Sequence, residues 1–173
     1  GVISGGGSSQ VDPIGAPAIG VVKGPGKKDW PGDPVYFPSS PYRMMQAEAP
    51  SARLTYTSGA DIARAADAAR RADVAVVFVT QFSYEGMDTA NAMTLDGNQD
   101  ALVAAVARAN PRTVVVMETG NPVMMPWLDN VGAVMEAWYP GSGGGAAIAR
   151  LLYGKVAPSG RLPMTFPASP VQL

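Results

Sequence analysis

Val74-Ala75-Val76-Val77-Phe78-Val79-Thr80 and Thr113-Val114-Val115-Val116-Met117 are two continuous apolar runs. Neither alternates apolar with polar residues, as a half-solvated strand would. They read as strands buried on both faces of a parallel sheet. Ala133 to Trp138 reads as a third. Before the first run, Asp61 to Arg71 spaces Ile62, Ala65, Ala66 and Ala69 along one helical face. After it, residues 97–109 predict a helix that buries Leu102, Val103 and Val106 and ends near Asn110-Pro111. Asp96 is placed to cap that helix, with Gln99 three residues later completing a capping box. Gly143 to Tyr153, followed by Gly154, predicts another helix. The pattern specifies an α/β fold, a mostly parallel β-sheet sandwiched by helices. Pro158-Ser159-Gly160 turns the chain into Leu162-Pro163-Met164-Thr165-Phe166, which reads as an antiparallel edge strand because Pro163 cannot donate to a ladder.

Upstream, the regularity fades. Gly5-Gly6-Gly7-Ser8-Ser9, Gly24-Pro25-Gly26-Lys27-Lys28 and Trp30-Pro31-Gly32-Asp33-Pro34 break both periodicities. Only a short helix from Pro41 to Ala47, stopped before Pro50, and a short strand at Leu54-Thr55-Tyr56 are expected near them. Residues 1–50 therefore form a loop-rich N-terminal part, and residues 51–173 the α/β core. A loop that long suits a surface that packs on another domain. The opening Gly-Val-Ile-Ser reads as the interior of a longer protein.

Composition removes much chemistry. Hydrophobic residues are 47% and charged residues 16% of 173, which excludes disorder. Thirteen Lys and Arg against fourteen Asp and Glu leave a net charge of −1, so there is no basic field for nucleic acid. No apolar run is long enough for a membrane span. The chain has no cysteine and no histidine. Thiolate nucleophiles, Ser-His-Asp triads and Cys or His metal sites are excluded, and carboxylates remain the leading acid–base groups.

The connection after the first buried strand, residues 81–96, is far longer than the ~2–6 residues usual in α/β units. It leaves the carboxyl end of a parallel strand, where open α/β sheets place ligands. It carries Glu85 and Asp88 beside Phe82 and Tyr84, with Gly86 allowing an unusual turn. Aromatic neighbours desolvate a carboxyl and favour a general acid. The residues alone admit a solvated acidic loop equally well. Gly141-Ser142-Gly143-Gly144-Gly145-Ala146 matches G-x-G-x-x-A, but no acidic residue follows Glu136, so close packing of a helix on the sheet explains it better than a dinucleotide. Ser142 has no base to activate it. Glu118 and Glu136, at or near strand ends, are placed either to line a cleft or, the better reading, to act as hydrogen-bonded structural carboxylates.

Six motifs then occur in order. They are Ala72-Asp73-Val74-Ala75-Val76-Val77-Phe78-Val79, Glu85-Gly86-Met87-Asp88, Asn110-Pro111-Arg112-Thr113-Val114-Val115-Val116, Pro122-Val123-Met124-Met125-Pro126-Trp127, Glu136-Ala137-Trp138-Tyr139-Pro140-Gly141 and Pro158 to Pro167. Together they resemble the second, α/β-sandwich domain of family-3 glycoside hydrolases of the β-glucosidase type. Gly5 to Val11 also resembles the loop after that domain's first strand. The resemblance implies an exo-acting, retaining β-glycosidase without a cofactor or metal, acting on β-linked glucosides or oligosaccharides. It implies Glu85 as the general acid/base, with Phe82, Tyr84 and Asp88 contacting substrate or shaping the loop. The partner it implies is a barrel domain carrying an Asp nucleophile, which this chain does not include, so the chain alone is expected to be inactive. Thr89 stands where many relatives have Arg. A secreted or periplasmic location is likewise implied. The competing reading is a non-catalytic α/β domain for interdomain or carbohydrate binding.

Overall fold

The computed structural model describes residues 22–23, 35–36, 39–81 and 93–172. The chain divides into two compact units, residues 55–136 with 162–173, and residues 1–54 with 137–161.

The first unit contains a parallel sheet of three strands, β3 (Ala75–Thr80), β4 (Thr113–Glu118) and β5 (Ala133–Glu136), adjacent in that order. Val77 pairs with Val115 and Val79 with Met117; on β5, Val134 pairs with Val115. Because side chains alternate along a strand, Ala75, Val77, Val79, Val115 and Met117 share one face. Helices α2 (Ile62–Arg70) and α3 (Gln99–Ala109) cover that face, placing Ala65, Ala69, Val103 and Val106 in the same core. The Ala-rich sequence of α2 permits its close approach to α3. Asp61 caps α2 by accepting from the Arg64 N–H at 3.0 Å.

One side chain locks the two helices together. Asn110, which caps the C-terminus of α3, is buried; its Nδ2 donates to Ala69 O and Ala72 O, both at 2.9 Å, at the end of α2. Its Oδ1 accepts from the Arg112 N–H at 2.9 Å. Asn110→Ala removes one partner from each of three backbone groups. It should cost about 1–3 kcal/mol, read as a lower urea midpoint of the complete protein.

The second unit has a two-residue antiparallel ladder, β1 (Val22–Lys23) with β2 (Val35–Tyr36). Helix α1 (Pro41–Glu48) packs against α4 (Gly144–Leu152). Ser40 caps α1 and Pro41 opens it, a sequence suited to a helix start. A Cβ on Gly145 would sit 2.4 Å from Ser39 O, so only glycine lets α4 come this close. Gly145→Ala should destabilise by about 1–3 kcal/mol, measurable by thermal denaturation of the complete protein.

The fold is the expected α/β class with a parallel sheet, and five expectations are corrected. β4 alone is buried on nearly all positions; β3 alternates buried with half-buried residues. β5 is only half-buried because it ends the described sheet and has one neighbour. No strand forms at Leu54-Thr55-Tyr56, which has no ladder partner among the described residues. Leu162 to Phe166 is likewise not a strand: Pro163 breaks its donor row, and Phe166 instead packs on the core of the first unit. Lastly, the close approach that the Gly-rich turn 141–146 permits is to Ser39 and Ser40, where a sheet had been expected.

Candidate active site

The three parallel strands end at Thr80, Glu118 and Glu136. The long connection leaves at Gln81 and returns to α3 through Met93, Thr94, Leu95 and Asp96. Glu85, Phe82, Tyr84 and Asp88, the residues singled out from sequence, lie outside the described residues, as does Gly86. Both ends of their loop are described, and both are pinned.

At the outgoing end, the Gln81 N–H donates to Glu118 O at 3.3 Å, continuing the β3–β4 ladder by one step. The buried Gln81 side chain then reaches across the loop, its Nε2 donating to Thr94 O at 2.9 Å. At the returning end, Leu95 is buried in the core and Met93 O accepts from the Met124 N–H at 2.8 Å. Gln99 joins the two ends. Its Oε1 accepts from the Thr80 N–H at 2.8 Å, and its Nε2 donates to Thr80 O at 2.7 Å and Asp96 O at 2.9 Å.

This corrects the expected capping box. Asn98, not Asp96, is the N-cap of α3, and it makes no side-chain cap bond. Gln99 pairs instead with both backbone groups of the strand end Thr80 and with Asp96 O. A Gln amide presents the same donor and acceptor as a peptide group, so it can satisfy both backbone groups of Thr80 on the side away from β4.

The two strand-end carboxylates differ. Glu118 is 1% exposed. Glu136 is half-buried, and its Oε2 accepts from Thr119 Oγ1 at 3.3 Å, while the same hydroxyl lies 2.8 Å from Asn121 O. Both positions fit a structural carboxylate. Just past β5, Trp138 has φ 53°, a left-handed conformation that a bulky residue rarely adopts. Nothing in the sequence marks that strain. Beside α3 lies a groove of about 230 Å³ lined by Asp100, Ala104, Arg108, Pro126, Trp127 and Asn130. The sequence reading named none of these as a site residue. The Gly-rich turn offers no phosphate cradle, since the Gly145 N–H is already given to Ser39 Oγ at 2.8 Å. Among the described residues no cluster of acidic side chains is placed to hold a metal ion.

The family model for the glycosyl hydrolase family 3 C-terminal domain matches residues 1–173. The chain belongs to glycosyl hydrolase family 3. The resemblance read from the six motifs is thus borne out. This family-3 domain is 51% identical over 110 residues to β-glucosidase B of Emericella nidulans, and 47% identical over 111 residues to a β-glucosidase of Rhizobium radiobacter. These alignments cover 61% and 62% of the chain, and 13% of each relative. Among solved structures it is similar to the β-glucosidase DesR of Streptomyces venezuelae, determined in complex with D-glucose. That match has a TM-score of 0.60 and 52% identity, over 62% of this chain and 14% of the other. A family-3 β-glucosidase from Neurospora crassa matches with a TM-score of 0.70 and 33% identity, over 75% of this chain and 17% of the other.

Proposed function

We propose that this family-3 domain supplies the general acid/base of a retaining, exo-acting β-glycosidase, and that Glu85 is that group. The supporting observation is the placement of its loop. Residues 81–96 leave from the carboxyl end of β3, the side on which α/β sheets bind ligands, and the loop is tied down at both ends. The names of its relatives support β-linked glucosides or oligosaccharides as substrate.

Retention requires two carboxylates about 5–5.5 Å apart, working in turn. Glu85 first donates its proton to the glycosidic oxygen. The C–O bond to the leaving group breaks as an Asp carboxylate, on a barrel domain of the complete protein, bonds to the anomeric carbon. Glu85, now ionised, takes a proton from water. The oxygen of that water bonds to the same carbon and displaces the Asp carboxylate. Phe82 and Tyr84 precede Glu85 closely in sequence, and aromatic neighbours of a carboxyl favour its protonated form, as the first step requires. Asp88 shapes the loop or contacts the sugar, and residues 1–50 lie against the barrel domain.

The test compares two substitutions in the complete enzyme. Glu85→Ala should lose hydrolysis of natural oligosaccharides, whereas Asp88→Ala should keep the ability to protonate a leaving group. If Glu85→Ala hydrolyses them near the wild-type rate, Glu85 is not the acid/base, and Asp88 becomes the candidate.

A further inference from the structure

We infer that Gln99 is a positioning residue for the acid/base loop, acting through its amide clamp on Thr80; this rests on the assignment of Glu85. β3 is an outer strand of the described sheet, with β4 on one side. Its last residue, Thr80, pairs in register with Glu118. The Thr80 N–H and C=O point to the opposite edge, and Gln99 takes both, at 2.8 and 2.7 Å. The same Nε2 holds Asp96 O at 2.9 Å. One side chain therefore fixes the residue just before the loop and the residue that closes it.

Gln99 can hold this position because it sits in the first turn of α3, and α3 is anchored through Val103 and Val106 in the core. The Gln81–Thr94 bond adds a second tie a short way further into the loop. Glu85 comes five positions after Thr80 in the sequence, and the hold on Thr80 is inferred to reach that carboxyl along this short stretch. Proton transfer to a glycosidic oxygen needs hydrogen-bond distance, and a displacement of about 1 Å can cost up to ~100-fold in rate. Gln99 acts here through the backbone of Thr80 and not by touching substrate.

Its role can be separated from bulk stability by a double-mutant cycle in the complete enzyme. Gln99→Leu keeps roughly the side-chain size and removes both the amide acceptor and the amide donor. It should lower kcat/KM about 10- to 100-fold for alkyl β-glucosides, whose leaving groups need protonation. It should change kcat/KM by less than about 3-fold for a dinitrophenyl β-glucoside, whose leaving group needs no proton. In a Glu85→Ala background, adding Gln99→Leu should change either value by less than about 2-fold, because the group it positions is gone. Gln99→Glu can still accept from the Thr80 N–H but, ionised, cannot donate to Thr80 O. It should fall between wild type and Gln99→Leu, and it carries the same cycle if Gln99→Leu does not fold. Equal losses on both substrates, or the same loss in both backgrounds, would overturn the inference and leave Gln99 a general structural residue. If Glu85→Ala itself shows no dependence on the leaving group, it is the assignment of Glu85 that fails.

Discussion

Replacing Glu85 by alanine in the complete enzyme should slow cleavage of cellobiose-like substrates by about 10²–10⁴-fold, the range general acid–base catalysis supplies. The loss follows from where the proton is needed. A sugar hydroxyl is a poor leaving group, and without a proton it departs as a high-energy alkoxide. The variant should therefore show a steep dependence of kcat/KM on leaving-group acidity, where the wild type is shallow. With a dinitrophenyl glycoside the first step needs no proton, so the glycosyl-enzyme should still form. Its hydrolysis should then be slow, because the same carboxyl serves as general base toward water. A burst of dinitrophenol followed by a slow steady state is the expected record. Leaving-group dependence identical to wild type would place the acid elsewhere.

The largest effect on stability should come from Trp127. Its side chain is 2% exposed and packs in the core built from β3, β4, α2 and α3. Its indole N–H donates to Asp100 Oδ1 at 2.7 Å, which ties the turn after β4 to the first turn of α3. Trp127→Ala leaves a cavity of aromatic size and should cost about 3–5 kcal/mol. Domains are commonly stable by ~5–15 kcal/mol, so this is a large share. Trp127→Phe keeps most of the buried area and removes only the donor, at a cost of about 1–3 kcal/mol. The neighbouring Leu128, 46% exposed, is the control, and Leu128→Ala should change stability by less than about 0.5 kcal/mol. Thermal denaturation of the three variants gives the order. A melting temperature for Trp127→Ala equal to that of Leu128→Ala would show that the core does not depend on this ring.

Much of the fold was legible because β3, β4, α2 and α3 each carry a strong local signal. An unbroken apolar run such as Val114-Val115-Val116 suits only the middle of a sheet, and it lies on the central strand. Ala65, Ala69, Val103 and Val106 fall at helical spacing and meet in one core. The misses share a cause. A strand exists only if a neighbour supplies the ladder, and among the described residues neither Leu54-Thr55-Tyr56 nor Leu162–Phe166 has one. The burial of β5 depended on its place in the strand order, which its own residues do not encode. At the site, the length of the connection 81–96 singled out a loop whose two ends the structure describes, while its carboxylates Glu85 and Asp88 lie outside the described residues. The clamp was not legible. Gln99 signalled a helix cap, and whether its amide bonds to its own helix or to Thr80 is decided by packing between α3 and β3.

The most direct measurement is the product formed by Glu85→Ala of the complete enzyme from a dinitrophenyl β-glucoside in the presence of sodium azide. Azide is an anion and needs no general base, so it can attack the glycosyl-enzyme in place of water. The account predicts that azide restores turnover and that nuclear magnetic resonance finds β-glucosyl azide as the product, with none formed by the wild type. No azide adduct together with unrestored turnover, or an adduct of α configuration, would contradict it.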